Sequence, residues 1–102
     1  MNDFNSTHIA EGRRLVVNLN GRLDTNTSPA FEESMQSEFQ EGRDMVFDCT
    51  NLEYISSAGL RVLLLAYKKT KGLDASLSLR NLNADVLNII EMVGFSDFLS
   101  IE

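Results

Sequence analysis

The sequence predicts an α/β domain, a mixed β-sheet with an amino-terminal hairpin and later parallel strands, with helices packed on it. Three observations carry this. Asp44-Met45-Val46-Phe47-Asp48 is a compact apolar run edged by acids, the pattern of a strand buried on both faces, as parallel strands usually are. Segments around Phe31 and Leu63 repeat apolar residues at helical spacing. These helices alternate with β-like runs, so crossovers of about a dozen residues can return the chain to strands of the same direction.

Taken in order, Ser6 to Ala10 and Arg14 to Leu19 flank the Glu11-Gly12 turn and read as an antiparallel hairpin. Ser28-Pro29 supplies an N-cap with proline at the first helical position, Glu32 and Glu33 are expected in the first turn, and Phe31, Met35 and Phe39 recur every four residues before Gly42. The Asp44 to Asp48 strand follows, and then a helix from about Ser57 to Lys71. That helix carries Leu60, Leu63, Leu64 and Tyr67 on one stripe, lysines at its carboxyl end and Gly72 as its stop. Ala75, Leu77 and Leu79 alternate with Ser76, Ser78 and Arg80 as a strand. Asn83 caps a helix through Val86, Leu87, Ile90 and Val93 that ends at Gly94, and Phe98 to Ile101 is a last short strand. The expected order is ββαβαβαβ.

A length of 102 residues allows one domain, residues 1–102, and 43% hydrophobic content with a single proline allows a real core. Fifteen acidic against nine basic residues give a net charge of −6, which opposes nucleic acid and anionic membranes as partners. One cysteine permits no internal disulfide, and one histidine leaves no cluster of soft metal ligands. The start, Met1 to Asn5, lacks the basic and apolar regions of a signal peptide, and the longest apolar run, Val62 to Tyr67, is too short to cross a bilayer. A cytoplasmic monomer without cofactor or metal is expected.

Catalytic motifs are missing: the chain has no G-x-S-x-G elbow, P-loop, G-x-G-x-x-G turn or H-E-x-x-H pair. His8 reads as an ordinary hairpin residue and Cys49 as a small apolar filler, so no enzyme is expected. The informative stretch is Asp48 to Arg61, a loop joining the buried strand to the strongest helix and carrying Ser56 and Ser57 side by side. Loops at the carboxyl edge of parallel strands are where ligands and partners usually bind. One serine there is accounted for by helix capping, and Gly59 by close helix packing. Two hydroxyls between Tyr54-Ile55 and the small pair Ala58-Gly59 also suit docking of a partner.

The run Leu52-Glu53-Tyr54-Ile55-Ser56-Ser57-Ala58-Gly59-Leu60-Arg61-Val62-Leu63-Leu64 resembles the phosphorylation loop and following helix of STAS domains, in particular the bacterial anti-sigma factor antagonists. Gly21-Arg22-Leu23-Asp24 resembles their G-x-L-D segment, and Val93-Gly94-Phe95 with Asp97-Phe98-Leu99 their closing V-G-F segment. The resemblance implies an antagonist that binds an anti-sigma factor, itself a serine kinase, frees a sigma factor, and is released on phosphorylation. It places the phosphoacceptor at Ser57, with Ser56 the lesser candidate, and a partner surface at Asp24, Ile55, Ser56, Ser57, Ala58, Gly59 and Leu60. Two positions depart from the usual D-S-[ST]-G-L pattern: Ser56 stands where an acid is common and Ala58 where a second hydroxyl stands. Asp24 also reads as a turn residue leading into the first helix. The alternative function is a ligand or nucleotide sensor, holding a phosphate at the same helix N-terminus without being phosphorylated.

Overall fold

Phe4–Glu11 (β1) and Arg14–Leu23 (β2) pair antiparallel, with Ala10 opposite Leu15 and Phe4 opposite Gly21. The computed structural model describes residues 4–102, so the first three residues of the amino-terminal reading lie outside it. The chain then runs through Ser28–Met35 (α1), Met45–Ile55 (β3), Ser57–Gly72 (α2), Leu77–Arg80 (β4), Ala84–Met92 (α3) and Ser100–Ile101 (β5). The order is the expected ββαβαβαβ. Strands lie side by side as β1-β2-β3-β4-β5, and every pair after the hairpin is parallel.

Buried residues of all three helices meet one face of this sheet in a single cluster. Phe31 and Met35 of α1, Val62, Leu63 and Ala66 of α2, and Val86 and Ile90 of α3 pack with Leu15, Val17 and Leu19 of β2, Phe47 of β3 and Leu79 of β4. Phe31 stands edge-on to Phe47 at 5.8 Å between centroids. The opposite face is polar over much of its area: Asn20 donates to Asn5, Asn51 donates to Asn20, and Asn18 donates to Thr7. A thickness of 20 Å fits these two layers.

Several boundaries differ from the sequence reading. The strand expected over Asp44 to Asp48 continues to Ile55, so most of the supposed loop is β3. Its period-2 alternation is broken by register shifts against β2, between Asn18 and Asn20 and between Gly21 and Arg22, which turn Leu52 and Ile55 back into the core. Asp48 anchors the first shift by accepting from the Thr50 amide and hydroxyl. At the second, Gly21 takes a φ of +105°, open to a residue without a β-carbon.

The N-cap of α1 is Thr27, not Ser28, because the Ser28 amide already donates to the Asp24 carbonyl and the turn is wound one residue earlier. The first turn then holds no acid, and Glu32 and Glu33 lie beyond it. After Met35 the helix tightens into a 3₁₀ turn, Gln36–Glu38, and Phe39 is extended and half-buried.

On α2 the buried face is Gly59, Val62, Leu63, Ala66 and Thr70; of the expected stripe only Leu63 is fully covered, and Leu60, Leu64 and Tyr67 flank it. Gly72 is still helical. The stop is a Schellman motif in which Asp74, at φ +55°, takes the left-handed position, with the Ala75 amide on the Thr70 carbonyl and the Asp74 amide on that of Lys71. α3 ends as read, at Gly94 with φ +82°. The Ala75 to Arg80 strand begins only at Leu77, and the last strand is reduced to Ser100–Ile101, because Phe98 packs on Tyr67 and Phe95 at 4.8 and 5.2 Å.

Candidate functional site

At the carboxyl edge of the sheet, β2 and β3 end side by side, Leu23 opposite Ile55. The Ser56 amide donates to the Leu23 carbonyl at 2.9 Å, so the segment Gly21 to Asp24 and the start of α2 form one unit. Asp24 folds the turn after β2: its Oδ1 accepts from the amides of Asn26 and Thr27 at 2.9 and 3.1 Å and from the Thr27 hydroxyl. The single Thr27 hydroxyl proton is shared between the Arg22 carbonyl at 2.7 Å and that carboxylate at 3.2 Å, and the hydroxyl oxygen accepts from the Asp24 amide at 2.9 Å. The Thr27 amide, then the Asn26 amide, the Thr27 hydroxyl and nearby Arg22, hold the Asp24 carboxyl below its ordinary pKa against a smaller opposing effect of desolvation.

Ser56 is the N-cap of α2, its backbone extended and its hydroxyl accepting from the Gly59 amide at 3.4 Å. Ser57, the first helical residue, is exposed. Ala58 and Leu60 are half-buried beside it. Two residues expected on the partner surface are not available to it. Ile55 is 2% exposed with its side chain in the core, and Gly59 is buried under contacts that leave no room for a β-carbon. Asp24, Ser56, Ser57, Ala58 and Leu60 therefore share this edge, while Ile55 and Gly59 support it from beneath.

The structure adds a stacking contact and a groove to this edge. Tyr54 is exposed, and the Arg22 guanidinium lies over its ring at 4.3 Å. The adjacent register of Arg22 and Tyr54 is set by the shift at Gly21, which no single-residue signal reveals. A groove of about 450 Å³ separates the first turns of α1 and α2, lined among others by Thr25, Ser28, Glu32, Ser57, Ala58 and Arg61.

The other singled-out residues lie elsewhere. His8 contacts Glu38 through Nδ1 and Ser6 through Nε2, tying β1 to the 3₁₀ turn. Cys49 is buried, and burial, then the Asp48 charge, pushes its thiol up to about 12, a poor nucleophile. Among the described residues no three His, Cys, Asp or Glu side chains converge to hold a metal, and no helix is long and apolar enough to cross a membrane.

The chain matches the sequence profile of the STAS domain over residues 6–102. It is 27% identical over 87 residues to the anti-sigma-B factor antagonist of Bacillus subtilis, spanning 85% of this chain and 80% of that protein. Its fold superimposes on the crystal structure of an anti-sigma factor antagonist from Mycobacterium paratuberculosis with a TM-score of 0.82 at 21% identity, covering 96% and 84% of the two chains. It also superimposes on the Bacillus cell fate determinant SpoIIAA in its phosphorylated form, with a TM-score of 0.72 at 12% identity over 97% and 90%.

Proposed function

Because the chain belongs to the STAS domain family, we propose that it is an anti-sigma factor antagonist, a cytoplasmic binding module that docks an anti-sigma factor through the first turn of α2 and is released by phosphorylation at Ser57. The observation that supports Ser57 over Ser56 is the division of labour between two hydroxyls. Ser56 is engaged by the Gly59 amide, whereas Ser57 is exposed. Ser and Asp are nearly equal N-caps, so Ser56 keeps the capping role of the acid in the D-S-[ST]-G-L pattern it resembles and omits only its charge.

In this reading the partner is a serine kinase. The Ser57 oxygen forms a bond to the γ-phosphorus of ATP, the bond to the β-phosphate oxygen breaks, ADP leaves, and the hydroxyl proton passes to a base of the kinase. The product carries about −1.5 to −2 charges at a helix N-terminus, where amides and dipole accept it, so the fold persists. The interface does not tolerate it. A partner covering Ala58, Leu60 and Tyr54 must strip water from the dianion, which shares its groove with the Glu32 carboxylate.

The test is incubation with the cognate kinase and ATP, followed by mapping of the modified peptide. One phosphoryl group at Ser57, abolished by Ser57→Ala, is expected. A phosphate on Ser56 overturns the residue assignment. A chain left unmodified while still engaging its partner overturns the switch and favours constitutive docking or ligand sensing.

A further inference from the structure

We propose that the groove between the first turns of α1 and α2 is a receptor for the phosphoryl group of phosphorylated Ser57, with Arg61 as its counter-charge and Ser28 as a hydroxyl donor. This rests on the reading that Ser57 is the phosphoacceptor. Ser57 and Arg61 stand four residues apart on α2, one turn along the same face, and both line the groove. Arg61 is exposed and enters none of the ion pairs among the described residues, so its guanidinium is free to present two parallel N–H groups.

Across the groove, Ser28 is 3% exposed, and its hydroxyl is the buried side-chain group left without a hydrogen-bond partner among the described residues. A buried unpaired hydroxyl is costly, and because Ser28 lines the groove, turning that hydroxyl about its one side-chain torsion toward a phosphate oxygen there would give it an acceptor. The amides at the start of α2 add to the site. Ser56 takes those of Gly59 and Leu60 through its hydroxyl and carbonyl, which leaves the amides of Ser57 and Ala58 at the helix mouth. Among the described residues Glu32 is the one carboxylate on the groove wall, and its repulsion directs a dianion toward the Arg61 side. The groove thus turns an exposed modification into a seated one, and seating occupies Arg61 as well as charging Ser57.

The test installs phosphoserine at position 57 by genetic encoding, so that no kinase is needed. The second ionisation of the phosphate is followed by ³¹P NMR as a function of pH. In the folded wild-type background its pKa is expected about half a unit or more below that in Arg61→Gln and below that of the same chain unfolded in urea. Arg61→Lys should recover part of the shift, and Ser28→Ala should lose a smaller part. Equal values in wild type and Arg61→Gln, or in folded and unfolded chains, overturn the receptor. The urea reference holds even if a variant folds poorly. Failure of the kinase assay at Ser57 overturns the functional reading independently, because it leaves this titration unchanged.

Discussion

The carbonyl oxygen of Leu23 lies 2.7 Å from the point where a β-carbon on Gly59 would stand, and Ile55 Cγ1 lies at the same distance. That carbonyl also accepts from the Ser56 amide. The end of β2 and the first turn of α2 therefore touch through backbone, and the glycine in the Ser56-Ser57-Ala58-Gly59 run is required by that approach.

Gly59→Ala should accordingly destabilise the domain by about 1–3 kcal/mol, since a backbone oxygen must move, and this outweighs the roughly 1 kcal/mol that alanine gains over glycine in a helix. Gly72, with open space around its missing β-carbon, is the control. Gly72→Ala should stabilise by up to about 1 kcal/mol. Urea unfolding of both variants at unchanged m-value checks the pair, and equal effects would refute the steric account.

Thr27 is 6% exposed, and its hydroxyl holds the Arg22 carbonyl and the Asp24 amide together. Thr27→Val keeps the volume and removes these bonds together with the contact to the Asp24 carboxylate, so a loss of about 1–3 kcal/mol is expected. Hydrogen exchange should quicken first at the Asp24 amide, which loses its acceptor.

Asp48 governs the acid limb of stability. Desolvation raises its pKa, but the Thr50 hydroxyl and amide, Arg80 and Asn81 overcome that and hold the carboxyl at about 2, below its ordinary 3.8. A folded value below the unfolded one means that the stabilisation is complete above the unfolded pKa and lost as pH falls toward 2. Its size is about 2 kcal/mol at neutral pH. Denaturation curves from pH 6 to pH 2 should show that decline, and Asp48→Asn should start lower and fall less steeply.

Under the proposed function, Ser57→Asp should weaken binding to an anti-sigma factor on the order of tenfold to a thousandfold, because a carboxylate bears less charge than phosphate and can partly reach water at a rim. Ser57→Ala should change affinity much less. Calorimetric titration, with circular dichroism to confirm folding, checks this; equal affinity of Ser57→Asp and wild type would place the interface elsewhere.

How far the fold was legible depends on where local pattern and tertiary geometry agree. Asn83 and Gly94 bound α3 as read, because a cap and a left-handed residue act within one turn. Ile55, which the resemblance put on the partner surface, is turned into the core by two register shifts in β3, and such shifts depend on the neighbouring strand. Ser28 looked like the cap of α1, yet Asp24 and Thr27, four and one residues earlier, had already wound the turn. Ser56 and Ser57 were visible as a motif. The cavity that joins Ser57 to Ser28 and Arg61 was not, since it forms only when α1 and α2 pack side by side.

The strands stand in the sheet in the order in which they occur in the chain. No strand has to be threaded between two that are already paired, so each can dock on its predecessor as it leaves the ribosome, carrying its helix across the same face. Growth is by addition at one edge, and β5 extends it by two residues. A chain halted before it would bare the flank of β4 while leaving the β2–β3 junction, and with it the start of α2, already assembled.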